Sequence, residues 1–156
     1  MGLFHNYNTT LYLKILMVCL GNICRSPLAE GIMRHLANEK KLNWEVASAG
    51  TGNWHIGKAP DNRSIAAAKA NGFDISTQRA QQFRHNMFAE YDLIFVMDRN
   101  NLNDVQALAK THKERKKVML FLDNDEVTDP YWDNALFGPV CKQVEERCRE
   151  IIQQLS

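Results

Sequence analysis

A cysteine and an arginine enclose five residues, Leu20, Gly21, Asn22, Ile23 and Cys24, in the segment Cys19-Leu-Gly-Asn-Ile-Cys-Arg25, and Ser26-Pro27 follow at once. Gly21 and Asn22 are the residue types that most easily adopt the left-handed conformation, so this segment can curl and aim successive backbone N–H groups at one point. Ser26 stands where a helix N-cap belongs, and Pro27 suits a first helical turn because it lacks an N–H that would go unpaired there. A helix beginning here adds partial positive charge, and the Arg25 fork matches two oxygens of a tetrahedral oxyanion. The same field favours the thiolate of Cys19, and the Ser26 hydroxyl can donate to that sulfur. Nucleophile, phosphate cradle and forked cation thus coincide in one short loop.

For that loop to work, a strand must deliver Cys19 and a helix must start near Ser26. Leu13 to Cys19 is a near-continuous apolar run of the kind a doubly covered parallel strand shows, and Trp44 to Ala47, Tyr91 to Met97 and Val118 to Leu122 are further strand candidates. Between them Leu28, Ile32 and Leu36 make one apolar helical face, and Leu102, Val105 and Leu108 make another. Ile65 to Ala70 lies between Asp61, a candidate N-cap, and Gly72, a candidate stop; a shorter helix is expected over 83–90, and a closing helix carries Leu136, Val140, Val144, Cys148, Ile151 and Leu155. The alternation predicts an α/β fold, an open, doubly wound, four-stranded parallel sheet flanked by about five helices, with its ligand beyond the strand C-termini. Cys19 lies at that edge.

The 156 residues suit one domain, expected over 14–156, with residues 1–13 as a flexible N-terminal extension. Hydrophobic residues make up 45% of the chain and the formal net charge is +1, so a globular core is expected, while a global basic field for nucleic acid or an anionic membrane is not. The apolar run that ends at Leu20 contains Lys14 and is far shorter than the ~20 residues of a membrane span; the first ten residues have neither a signal peptide nor a myristoylation pattern. A cytoplasmic enzyme is the expectation. Four cysteines are too few for a disulfide scaffold, and Cys141 and Cys148, seven apart on one helical face, read as core residues. No histidine has ligand spacing, and His5, His35, His55, His85 and His112 read as surface residues.

The segment Val18-Cys-Leu-Gly-Asn-Ile-Cys-Arg-Ser-Pro27 resembles the signature of the low-molecular-weight protein tyrosine phosphatases. Ser48-Ala-Gly50, Gly57-Lys-Ala-Pro-Asp61, Val96-Met-Asp98 and Asp129-Pro-Tyr-Trp132 are similar to further family landmarks in the same order, so the resemblance covers residues 14–156. It implies that Cys19 attacks phosphorus to form a phosphocysteine, Arg25 binds the equatorial oxygens and Asp129 protonates the leaving phenol. Trp54, Tyr131 and Trp132 are implied to wall an aromatic slot, Ser48 to support Asn22, and Cys24 to act as a redox-resolving thiol. Gln78 and Gln81 depart from the histidine and arginine frequent in the family. The implied partners are phosphotyrosine proteins and a cognate tyrosine kinase, with phosphate or vanadate as inhibitors; no metal, cofactor, nucleic acid or membrane is implied. Without the resemblance, Asp129 is one turn aspartate among Asp98, Asp123, Asp125 and Asp133, all of which read as solvated.

The alternatives share the loop. An arsenate reductase of this fold needs two further mid-chain cysteines, and none lies between Cys24 and Cys141; a protein-arginine phosphatase has threonine where Ile23 stands. A phosphoprotein-binding module without turnover has no need of Cys19, Arg25, Ser26 and an acid together. A P-loop NTPase is excluded because Gly-x₄-Gly-Lys-Ser/Thr is absent.

Overall fold

The computed structural model describes residues 12–156. Strand β1 (Leu13–Cys19) leads through the cysteine-rich loop into helix α1 (Arg25–Glu39), followed by β2 (Trp44–Gly50), α2 (Asn62–Ala70), α3 (Met87–Glu90) and β3 (Leu93–Val96). Helices α4 (Arg99–Leu108) and α5 (His112–Lys116), strand β4 (Val118–Leu120), a 3-10 turn over Asn134–Leu136 and helix α6 (Phe137–Leu155) complete the chain. The sheet order is β2-β1-β3-β4, all parallel, with Cys19 level with Gly50 at the C-terminal edge. Strand order reverses at β1, so the loop after it opens at the crevice where ligands of open α/β sheets bind. The expected extension falls mostly outside the described residues, which exclude 1–11, and Leu13 already opens β1.

The period of two along β1 divides the core. Leu13, Ile15, Met17 and Cys19 face one layer with Leu28, Ile32 and Leu36 of α1 and Val144, Cys148 and Ile151 of α6. Leu16 and Val18 face the other, against Phe88, Ile94, Val96 and Val105. Strand β1 is therefore covered on both sides, which holds its C-terminal end rigidly. The five expected helices are present, and α5 is an addition: none of its residues is buried, so no apolar period marks it in the sequence. Thr111 caps it by accepting from the Glu114 N–H. Asp61 caps α2 and Gly72, at φ 90°, follows its end, both as the sequence predicts.

Candidate active site

The loop between β1 and α1 differs from its sequence reading in two details. Only Asn22 is left-handed, at φ 58°; Gly21 is not. Helix α1 begins at Arg25, so Ser26 lies inside its first turn and Cys24 holds the N-cap position without a side-chain bond. The reason is that the Ser26 hydroxyl is already engaged: its Oγ lies 3.0 Å from Cys19 Sγ and accepts from Asn22 Nδ2 at 2.8 Å. The second Asn22 amide hydrogen goes to Ser48 Oγ at 2.9 Å, and the Gln81 backbone N–H donates to Asn22 Oδ1 at 3.0 Å. Three bonds to one buried side chain hold a residue type with a Cβ in the left-handed region. Gly50 sits below them where a Cβ would come within 2.8 Å of the Leu20 carbonyl oxygen, so β2 can close on the loop only with glycine there.

The two departures at Gln78 and Gln81 have different outcomes. Gln81 braces the loop with its N–H and donates from Nε2 to the Ser48 carbonyl at 3.0 Å. The Gln78 amide is buried beside Gly31 and has no hydrogen-bond partner among the described residues.

Arg25 is 3% exposed. Its Nη1 donates to Asp98 Oδ2 at 2.8 Å and to the Val127 carbonyl at 2.9 Å, and its Nη2 lies 3.9 Å from Asp129 Oδ2. Burial opposes its charge, but Cys19, Asp98 and Asp129 around it outweigh burial and raise its pKa. Among the described residues no hydrogen bond involves Nε, so the Nε–Nη2 edge remains for an oxyanion. Asp98 corrects the sequence reading: it is not a solvated turn residue but the anchor of Arg25 and, through the Asn101 N–H at 2.8 Å, the cap of α4. Asp123, Asp125 and Asp133 are exposed as expected.

A cleft of about 280 Å³ opens over this loop, lined by Cys19, Ile23, Arg25, Asp129 and the aromatic rings of Trp54, Tyr131 and Trp132. Leu20, Gly21 and Cys24 complete its floor, so the structure brings these sequence-predicted residues together, while Asn22, Ser26 and Ser48 lie behind it as supports. Tyr131 and Trp132 pack edge to face at 4.8 Å, and the Arg63 guanidinium holds their segment by donating to the Tyr131 carbonyl at 3.0 Å and to Asn134 Oδ1 at 2.7 Å. Asp129 Oδ1 accepts from the Tyr131 N–H at 3.1 Å, which turns the carboxylate toward the cleft. His55, which reads as a surface residue in the sequence, lines the cleft, its ring near enough to Gly21 that a Cβ there would meet it at 3.1 Å. Only its place beside Trp54 signals this in the sequence. Burial, with Asp61, Cys19 and Asp129 adding, pushes the Cys24 thiol up to about 12, so it is kept protonated at neutral pH.

The model of the low molecular weight phosphotyrosine protein phosphatases matches residues 14–156. The chain belongs to that family. It is similar to the low molecular weight phosphotyrosine protein phosphatase of Homo sapiens, 36% identical over 150 residues that cover 90% of this chain and 94% of the human one. Its fold is similar to the crystal structure of a protein tyrosine phosphatase from Entamoeba histolytica, with a TM-score of 0.85, 30% identity and coverage of 92% and 96% of the two chains. It is also similar to Vibrio vulnificus Wzb in complex with benzylphosphonate, at TM-score 0.84 and 32% identity over 93% of this chain and 100% of the other. The family-model match spans the loop, the residues of the aromatic cleft and Asp129 alike.

Proposed function

We propose that this family member hydrolyses phosphotyrosine and small aryl phosphates through a phosphocysteine. The observation that carries the reading is the convergence of Cys19, the free edge of Arg25 and Asp129 on one aromatic-walled cleft. The loop N–H groups and Arg25 hold the equatorial oxygens, and Cys19 Sγ attacks phosphorus in line as the P–O bond to the phenol breaks. Asp129, protonated at this stage, gives its proton to the departing phenolate oxygen. Its carboxylate then takes a proton from water, which attacks phosphorus and expels the Cys19 thiolate toward the Ser26 hydroxyl. Every charge this sequence handles meets a side chain or amide of the chain, so the reading needs no metal. The benzylphosphonate bound to the Vibrio protein has the ring and tetrahedral head this cleft suits. Phosphotyrosine proteins are the substrates in this reading, with a tyrosine kinase among them, and phosphate or vanadate compete for the loop. Ile23 at the cleft wall favours a flat ring over a guanidinium.

Cys24 is proposed as the resolving thiol for oxidised Cys19, and the cytoplasm as the compartment; among the described residues no helix is long and apolar enough to cross a membrane. The test is trapping. Acid-quenched enzyme with labelled aryl phosphate should carry phosphate on Cys19, and turnover should persist with a chelator present. A label on serine, histidine or aspartate, or activity lost to chelation, overturns the reading.

A further inference from the structure

The two edges of the sheet are finished differently. Along β2 the groups that point away from β1 are covered: Arg34 Nη2 donates to the Val46 carbonyl at 2.7 Å, and Gln81 Nε2 donates to the Ser48 carbonyl at 3.0 Å. The Gly50 N–H donates to the Gln81 carbonyl at 2.8 Å, and the Gly50 carbonyl accepts from the Phe83 N–H at 2.7 Å. Along β4 the Lys117 carbonyl and the Phe121 N–H are bonded to β3. Alternate residues of a parallel ladder face opposite ways, so Val118 and Leu120 turn their N–H and C=O groups outward, where they have no partner among the described residues. An open edge of this kind accepts a further strand.

That edge is the floor of a cavity of about 350 Å³ between α4 and α6, with Leu102, Gln106, Leu122 and Gln154 on its walls. Arg147 of α6 also lines it and is 9% exposed. Its Nε donates to the Phe121 carbonyl at 2.6 Å and its Nη1 lies 3.4 Å from Glu150 Oε1, while Nη2 has no partner among the described residues. A buried guanidinium with a free nitrogen on a cavity calls for an anionic acceptor from outside. The mouth repeats the sign: α5 ends one residue before β4 and leaves Lys113, Arg115 and Lys116 exposed, and the single acid on the lining, Asp123, is itself exposed. We propose that the β4 edge is a docking groove for an extended acidic peptide segment of a partner protein, which adds to the sheet on Val118 and Leu120 and places a carboxylate on Arg147 Nη2. Alternate side chains of that strand face α6 and α4, so acidic residues meet Arg147 while apolar ones between them meet Leu102. The groove shares no lining residue with the cleft over Cys19, so docking here leaves the cleft open.

The probe is a dye-labelled hexapeptide, capped at both ends, that alternates glutamate and valine. By fluorescence anisotropy the full chain should bind it at least ~10-fold more tightly than the same peptide with lysine in place of glutamate. At saturation, amide exchange at Val118 and Leu120 should slow ~10-fold while Phe121, already bonded to β3, stays unchanged. Arg147→Met should lose ~10-fold of the affinity for the glutamate peptide and none of that for the lysine peptide. Equal affinity for the two peptides, or exchange at Val118 and Leu120 that the glutamate peptide does not slow, overturns the proposal. Competitive inhibition of p-nitrophenyl phosphate hydrolysis by the peptide would assign it to the catalytic cleft, and protection that rises with protein concentration alone would assign the edge to a second copy of the chain; either refutes the proposal. If Arg147→Met does not fold, the two peptides and the wild-type exchange decide alone. A chain that carries no phosphate on Cys19 refutes the phosphocysteine reading instead, and the binding comparison still judges the groove.

Discussion

Asp98 Oδ2 lies 2.8 Å from Arg25 Nη1, although 73 positions separate the two residues. The same carboxylate group caps α4 through its other oxygen, so the helix after β3 and the cation after β1 share one anchor. Arg25 therefore stands ready beside Cys19 before any phosphate arrives, and binding need not order a long side chain.

Asp98→Asn tests that anchor. Asparagine is as good an N-cap, so α4 should hold, but Arg25 loses its charged partner. The variant should lose ~10–100-fold in kcat/KM with at most about 2 kcal/mol of stability, read by steady-state kinetics and urea unfolding. Unchanged kinetics would show that Val127 and the loop suffice to place Arg25.

Gln78→Met should stabilise the protein. Both amide atoms of Gln78 are buried without a partner among the described residues, and burying such a group costs about 1–3 kcal/mol. Methionine fills a similar volume without that cost, so the melting temperature should rise by about 2–4 °C. The kcat should not move, because Gln81, not Gln78, holds Asn22. A lower melting temperature would mean that the amide is paired in solution.

The parts legible in the sequence are those whose determinants are local. The apolar run Leu13 to Cys19, the helical faces and the Cys19 to Pro27 segment each lie within one window, and β1, the helices and the loop between β1 and α1 fall at those places. Asp98 and His55 act across the sheet or between loops, and no local pattern distinguishes them from solvated residues. The sequence suggests both a cap and a bond to Cys19 for Ser26; only the second is present, because Asn22 and Cys19 engage its hydroxyl and the helix starts one residue earlier. Helix α5 leaves no apolar period in the sequence because it buries nothing.

In the proposed redox protection, the Cys24 thiol sets the pace. Peroxide converts the Cys19 thiolate to a sulfenic acid; the Cys24 thiolate then attacks that sulfur and displaces hydroxide, forming the disulfide. With its thiol pushed up to about 12, Cys24 is thiolate only in a small fraction at neutral pH, and that fraction grows about tenfold per pH unit. After a peroxide pulse, disulfide formation should accelerate ~100-fold between about pH 6 and pH 8, and irreversible inactivation should be greatest on the acid side. Peptide mapping of quenched samples reads both. A pH-independent rate, or no Cys19–Cys24 linkage, would make Cys24 a packing residue only.

The leaving group should reveal whether Asp129 is the acid, as proposed. Its carboxylate is 40% exposed at the cleft, held by the Tyr131 N–H and 3.9 Å from Arg25 Nη2, whereas Asp98 is fully engaged with Arg25 and the α4 N-terminus. Of these two carboxylates, Asp129 is therefore the one proposed to exchange a proton with substrate and then with water. General acid catalysis is worth ~10²–10⁴-fold, and most of it is needed where the leaving group is a poor one. Asp129→Asn should therefore lose activity near the upper end of that range for phosphotyrosine and markedly less for p-nitrophenyl phosphate, whose phenolate departs without help. The intermediate should accumulate on p-nitrophenyl phosphate, since the second step loses its base; a burst of p-nitrophenol equal to the enzyme concentration would show it. Arg63→Ala, which releases the Tyr131 carbonyl, should reproduce a weaker form of the same substrate bias. Equal losses on both substrates, with no burst, would transfer the acid role to another carboxylate, and Asp98 would be the first to test.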